Sequence, residues 1–382
     1  MKTLSYTLCA VLAAGFAFTG DAQVKPKSNK VTELKFSGRI QGQWDGIGSD
    51  DNQEDDRNHF YFRRLFLGGH AKMGDNWGGD IVMDFAASTN TDDTVFIDGA
   101  SVWYKHSDAF RLDIGQLKVP FGVEETTSSS KLKAIERSAV NRQFAEALKF
   151  NARHTGLFAK GALTDGWNYD LAVVNSGQNH ASKDGELKHP KNYDYDDNEL
   201  GYYGRLAYNN YDGDVRYGFG IGAGNQQLDK ASSSADTNAT DTTAYNIFGS
   251  LGFGSVNLEA EYMNGTVSTV SDGDHDHKGY SFHASYALSN APAGSWEFLY
   301  RYSTVESSKS GYVNAGEIVR RANLASASKG VDELDQHYIG LNYLFNGHDA
   351  KFMLGYELND LIEGGTKIDE ANGFRARVQF LF

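Results

Sequence analysis

The chain has 382 residues, with 50 acidic against 36 basic side chains, a formal net charge of −14 and a mean hydropathy of −0.50. The acidic balance excludes a nucleic-acid binder, which needs a basic surface, and the lack of long apolar runs beyond the first residues excludes a helical membrane protein. Glycine (42), tyrosine (21) and phenylalanine (23) are abundant and proline is scarce (4), a composition suited to many short β-strands because aromatics fill pleated surfaces and proline interrupts ladders.

Lys2, an apolar stretch over 8–18 and the small residues Gly20-Asp21-Ala22 have the form of a secretory signal peptide spanning 1–22. The apolar stretch is well short of the ~20 residues of a membrane-spanning helix. Removing it takes away Lys2 and Asp21 together, so the net charge of −14 is unchanged. It also removes Cys9, the single cysteine, and with it any disulfide framework, thiolate metal site or cysteine nucleophile. A polar tail over 23–31, expected in the periplasm, leads to strand-forming sequence over 32–382.

Alternation begins at once. Leu34, Phe36, Ile40 and Trp44 share one parity, while Lys35, Ser37, Arg39, Gln41 and Gln43 share the other. In a strand these are opposite faces. An acidic loop at 48–56 precedes a strand containing Arg63-Arg64; adjacent residues point to opposite faces, so one of the two is expected in a lumen, and the sequence does not say which. After a turn at Gly74-Asp75-Asn76, Trp77, Ile81, Met83 and Phe85 oppose Asp80 and Asp84. Strands through Val102 and Tyr104 and from Arg111 to Val119 follow.

Alternation then stops for about thirty residues, roughly 120–151, an unusual length for a connection inside a compact domain. Lys118 leads into the stretch, where Lys131, Lys133, Arg137 and Arg142 are mixed with Glu124, Glu125, Glu136 and Glu146, and apolar Leu132, Ile135, Ala139 and Phe144 make the stretch too apolar for a free linker. It reads as the constriction loop of a β-barrel pore.

The same grammar continues to Phe382, whose strand sets Phe374, Ala376, Val378 and Phe380 against Arg375, Arg377 and Gln379. The count is about sixteen antiparallel strands, each of the length a tilted membrane strand requires. Short turns near 74, 107, 164, 211, 254, 292 and 347 alternate with long polar connections near 50, 90, 135, 188, 234, 272, 320 and 365. That alternation is the pattern of short periplasmic turns and long external loops in a transmembrane β-barrel. Trp44, Trp77, Trp103, Trp167 and Trp296 are expected to form interfacial girdles, and the terminal Phe382 resembles a barrel-insertion signal.

The stretches Gly115-Gln116-Leu117-Lys118-Val119-Pro120-Phe121-Gly122 with Glu124-Glu125, Ile135-Glu136-Arg137-Ser138, and Phe62-Arg63-Arg64 resemble the phosphate-selective porin O and P family. The resemblance implies a sixteen-stranded trimeric porin of the Gram-negative outer membrane, with an inward third loop and a basic lumen that conducts phosphate or polyphosphate anions. By position it implies Arg63, Arg64, Lys118 and Arg137 as lining residues. Arg39, Arg205, Arg216, Arg301, Arg375 and Arg377 join them by strand parity, with Lys131, Lys133 and Arg142 from the loop and Glu124, Glu125 and Glu136 as the opposing acids. Small anions or other small solutes, outer-membrane lipid and lipopolysaccharide are the expected partners, and no cofactor is expected.

The acidic residues Asp50, Asp51, Glu54, Asp55, Asp56, Asp194, Asp196, Asp197 and Asp272 argue the other way, for a general or weakly cation-selective pore, and they offer carboxylates for Ca²⁺. His275, Asp276 and His277 are metal-ligand types in a stretch that reads as a loop. A barrel hydrolase needs a nucleophile, base and orienting group together, and His70, His154, His283 and His337 are scattered with no local motif.

Overall fold

The computed structural model describes residues 30–49, 57–89, 95–176, 200–227, 239–269, 273–289, 294–322, 324 and 331–382. Sixteen strands follow in chain order: β1 (Glu33–Ser49), β2 (Arg57–Met73), β3 (Trp77–Asp84), β4 (Phe96–Ser107), β5 (Phe110–Lys118), β6 (Arg153–Thr164), β7 (Trp167–Asn175), β8 (Leu200–Asn210), β9 (Val215–Gln227), β10 (Ala239–Phe253), β11 (Val256–Thr269), β12 (His275–Ala287), β13 (Ser295–Ser307), β14 (Glu333–Asn346), β15 (Ala350–Glu363) and β16 (Thr366–Leu381). Each pairs antiparallel with its neighbours in sequence, and β16 returns to β1, so the barrel has no free edge. The signal-peptide reading, the tail through residue 29, and the acidic positions at 50–56, 194–197 and 272 lie outside the described residues.

The two strand faces are reversed relative to a water-soluble protein. Along β1, Gln41, Gln43 and Asp45 are buried, whereas Phe36 and Ile40 are exposed. Along β16, Arg375, Arg377 and Gln379 are buried and Phe374, Val378 and Phe380 are exposed. An apolar belt outside a polar interior is the arrangement hydrocarbon demands, and closure satisfies the backbone where no water can.

Four sequence expectations are corrected. Arg63 and Arg64 both point inward: Gln41 pairs with Arg64 and Gly42 with Phe62, leaving Arg63 as the extra residue of a β-bulge. A bulge resets the alternation, so adjacent side chains share a face, and the two arginines are 3% and 8% exposed. The connections expected to be long near 272 and 365 are short: only positions 270–274 separate β11 from β12, and β15 turns into β16 by a tight hairpin through Gly364 and Gly365, whose φ of 58° and 73° supply the left-handed pair a two-residue turn requires. Trp103 is not in a girdle; it is buried on the inner face, donates from Nε1 to Asp80 at 2.8 Å and carries Arg111 over its ring. His275, Asp276 and His277 open β12 rather than lie in a loop, and strand alternation buries the two histidines while Asp276 faces out, so the three do not converge.

The closing seam depends on small residues. Ile47 pairs with Gly373, and a Cβ on Gly373 would meet the Gly46 carbonyl oxygen at 2.2 Å and Ile47 Cα at 2.5 Å. Backbone cannot yield as a side chain can, so Gly373→Val is expected to cost the ~1–3 kcal/mol of overpacking or more. Gly213→Ala, in a turn with nothing within 4 Å of the new methyl, carries only the strain of its φ of 89°. In heat-modifiability gels Gly373→Val should lose most of its compact unboiled band and Gly213→Ala should keep it; equal bands would refute the seam argument.

Candidate constriction site

The connection from β5 to β6, residues 119–152, is bonded to the inner face around much of the barrel. It contains α1 (Val123–Thr126), α2 (Ala139–Arg142) and a π turn (Gln143–Ala147). At one end Phe121, Phe144 and Phe150 pack together, with Phe121 and Phe150 edge to face at 5.0 Å, against Tyr203 and Met263 of the wall. This apolar cluster inside a polar lumen removes its rings from water and gives the loop a core of its own. Along the rest, wall side chains hold loop carbonyls: Lys351 Nζ donates to Leu132 O at 2.7 Å, Asn342 Nδ2 to Lys133 O at 2.9 Å, and Arg301 Nη1 to Glu136 O at 2.6 Å.

Three loop carboxylates then gather the cations. Glu136 accepts from Arg63 (Nε 2.7 Å, Nη2 3.1 Å) and Arg377 (Nη2 2.9 Å) on the wall and from Arg142 (Nη1 3.4 Å) on its own loop. Burial opposes its charge, yet the guanidinium groups outweigh burial and hold the carboxyl well below the usual range. Glu125 binds Lys118 Nζ at 2.7 Å and Arg137 Nε at 3.1 Å. Burial again pushes up, but Arg137 and Lys118 bring Glu125 down to about 2. Glu124 accepts from the Ser138 backbone N–H at 2.8 Å and from its hydroxyl, with His283 Nε2 at 3.4 Å and Arg301 Nη1 at 3.5 Å; despite burial these keep it below its ordinary value.

The basic positions therefore divide. Arg375 joins Asp45 (2.8 Å) and Glu357 (2.9 Å), Lys133 joins Glu259 (3.1 Å) and Arg205 joins Asp170 (2.8 Å). Arg216 reaches an amide and a carbonyl near Asn257 and Gly254. Among the described residues no carboxylate lies within ion-pair distance of Arg39, Arg64 or Lys131. Arg64 Nη1 donates to Gln41 at 2.9 Å; Arg39 bonds Ser129 (2.6 Å) and Ser128 (3.2 Å) and stacks over Phe66; Lys131 is exposed.

A cavity of about 100 Å³ beside the loop is lined by Arg63, Arg64, Lys118, Arg137, Arg153 and Arg320 against Asp84, Asp98, Glu125 and Glu146. A larger one of about 390 Å³ shares Lys118, Asp98 and Arg153 with it and adds Lys160 and Arg205. Sequence reading misses Arg153, which faces Lys118 across the β5–β6 pair and binds Asp98 at 2.6 Å, although its place at the end of the loop mirrors that of Lys118. It also misses Arg320, Lys351, Asp45 and Glu357. Asp45 shares the parity of Gln41 and Gln43, which would have found it.

A closed sixteen-stranded barrel with an apolar outside, a charged inside and a loop bonded across its interior defines an outer-membrane channel. Residues 34–382 match the family described as phosphate-selective porin O and P, and the chain belongs to that family. It is 25% identical to Porin O of Pseudomonas aeruginosa over 450 aligned positions, covering 98% of this chain and 96% of that one. Among solved structures it is similar to an anion-selective porin from Comamonas acidovorans (TM-score 0.63, 12% identity, 92% of this chain and 99% of that one). It is also similar to the trimer form of OmpT from Vibrio cholerae (TM-score 0.58, 13% identity, 91% and 99%). The protein is a porin of the Gram-negative outer membrane, a water-filled channel for small hydrophilic solutes.

Glu136→Gln leaves three buried guanidinium groups around a neutral amide, a change of the kind that costs ~3–5 kcal/mol. It should loosen the loop, read as a lowered melting temperature and as protease cleavage within 119–152; an unaltered melting curve would contradict this. Acid acts on Glu125 in the same sense. Its folded pKa of about 2 lies below its ordinary 4.5, so the stabilisation is complete above 4.5 and is lost as pH falls toward 2. Current noise in planar bilayers should rise within that window, and a flat trace through it would count against the Lys118–Glu125–Arg137 cluster as the loop's anchor.

Proposed function

We propose that this porin prefers small anions, inorganic phosphate among them, and that Arg64, with Arg39 nearby, sets the preference. The observation that carries the reading is the narrow cavity where six cationic side chains face four anionic ones and Arg64, almost fully buried, has no carboxylate within ion-pair distance among the described residues. Low-dielectric walls focus the field of such a charge, so it outweighs distant, solvated acidic residues. Paired cations such as Arg63 and Arg377 add less, because Glu136 answers them. A second reading, weak cation preference, draws support from a separate cavity of about 320 Å³ lined by Glu124, Glu259 and Glu261 with Arg216 and His283.

Passive conduction is the whole of the activity in this reading. His70 Nδ1 meets Asp80 at 2.6 Å and the Trp103 N–H donates to the other oxygen of the same carboxylate, a polar tie between β2, β3 and β4. A homotrimer is the proposed assembly. An exposed apolar groove of about 490 Å³ bounded by Trp44, Phe60, Phe62, Phe352 and Val378, where β1 and β2 meet β15 and β16, supports it, with lipid and lipopolysaccharide against the remaining belt. A cleaved leader over 1–22 is proposed as the route to export.

Selectivity is read from the zero-current potential under a KCl gradient. The parent should favour chloride, Arg64→Glu should reduce or reverse that preference, and Lys118→Glu should act in the same direction. Potassium preference in the parent would overturn the anion reading in favour of the acidic cavity.

A further inference from the structure

We propose that Arg320, on the connection between β13 and β14, is a second selectivity-determining residue of the pore, with Glu146 of the constriction loop as its internal counter-ion. The inference rests on the anion-preferring reading above.

The backbone that carries Arg320 is placed by others. Val313, Ala315, Ile318 and Val319 are buried in the cluster that contains Phe144, so this connection shares the apolar core of the constriction loop. A short helix, α3 (Ala315–Ile318), is capped by Asn314, whose side chain accepts from the Glu317 N–H. Polar bonds lock the two connections together: Gln143 Nε2 donates to Tyr312 O at 2.9 Å, Asn314 N–H donates to Gln143 Oε1 at 3.1 Å, and Arg142 donates from Nε and Nη2 to Glu317 O at 2.9 and 2.6 Å. The chain then reaches β16, where Arg375 Nη2 donates to Arg320 O at 2.7 Å, and β2, where Arg321 lies over the Tyr61 ring at 4.5 Å. Arg321 does so with a φ of 70°, a left-handed conformation that a non-glycine residue holds only under such constraint.

None of these bonds uses the Arg320 guanidinium. That group turns into the cavity also lined by Arg64, Lys118 and Arg153, where its Nη2 pairs with Glu146 and lies 3.7 Å from Glu317, and its Nε–H is buried with no acceptor among the described residues. Position and charge are thus separable: the fold supplies the first, and only the second faces the solute. A passing anion competes with Glu146 for Arg320, so the strength of that pair decides how much of the charge an anion meets.

The test is the chloride-to-potassium permeability ratio of the full-length porin in planar bilayers at low and high salt. Arg320→Gln should lower the ratio on the order of twofold or more, and the change should shrink at high salt. Glu146→Gln should raise it, and Arg320→Lys should rescue most of the loss. The inference is overturned if Arg320→Gln leaves the ratio unchanged, if Arg320→Lys falls as far as Arg320→Gln, or if Glu146→Gln favours potassium. Should Arg320→Gln fail to insert, a raised ratio in Glu146→Gln with a parent-like ratio in Arg320→Lys supports the inference, and a fall in either overturns it. The sign of the parent's preference tests the anion reading, whereas the direction of change between variants tests Arg320 whatever that sign is.

Discussion

The buried carboxylate of Glu136 is the interaction on which the interior depends. Closing a sixteen-stranded sheet leaves a wide polar cylinder, and the apolar contacts of a loop inside it, such as Ile135 beside Leu299, Tyr338 and Met353, give it no reason to rest against a wall of arginines. Glu136 supplies one, since Arg63 of β2, Arg377 of β16 and Arg142 of the loop all converge on its two oxygens. Removing any partner strands a buried charge, so the arrangement is self-enforcing even though its net gain over an apolar core is small. The aromatic cluster of Phe121, Phe144 and Phe150 fixes one end of the loop, and the carboxylates fix the rest together with Lys351, Asn342 and Arg301, which hold its carbonyls.

That solution has a consequence for conduction. Cations used to hold the loop are largely neutralised, so a count of basic residues in the lumen overstates the charge an ion meets. Arg64 escapes because the bulge at Arg63 places two arginines on one face while Glu136 engages the first of them. Net charge is a poor guide for the same reason. The −14 of the whole chain is summed over every residue wherever it lies, while selectivity is set within a few ångströms of a narrow stretch.

Much of this was legible in the residues. Period-two alternation gave the strands and their number, and the break in alternation over about thirty residues marked the loop, because both follow from local chain geometry. Parity would also have placed Trp103 and Asp45 on the inner face had it been applied to each residue. What parity cannot reveal is its own interruption: the bulge at Arg63 is a property of the β1–β2 register, and no local signal distinguishes it from regular strand. The pairing of Glu136 with Arg63 and Arg377 joins residues 73 and 241 positions apart, and only barrel closure brings them together. Gly364-Gly365 is a local turn signal that the expectation of a long loop at every second connection passes over.

The division between cations that hold the loop and cations that meet the solute is tested most directly by locating the anions themselves. Crystals of the porin soaked in bromide and measured at the bromine absorption edge would show where an anion rests in the lumen. Anomalous peaks are expected beside Arg64 and Arg39, with none against the guanidinium faces bound to Glu136. Peaks at Arg63 and Arg377 with Arg64 bare would contradict it, and would mean that the Glu136 cluster, rather than Arg64 and Arg39, is what an anion encounters.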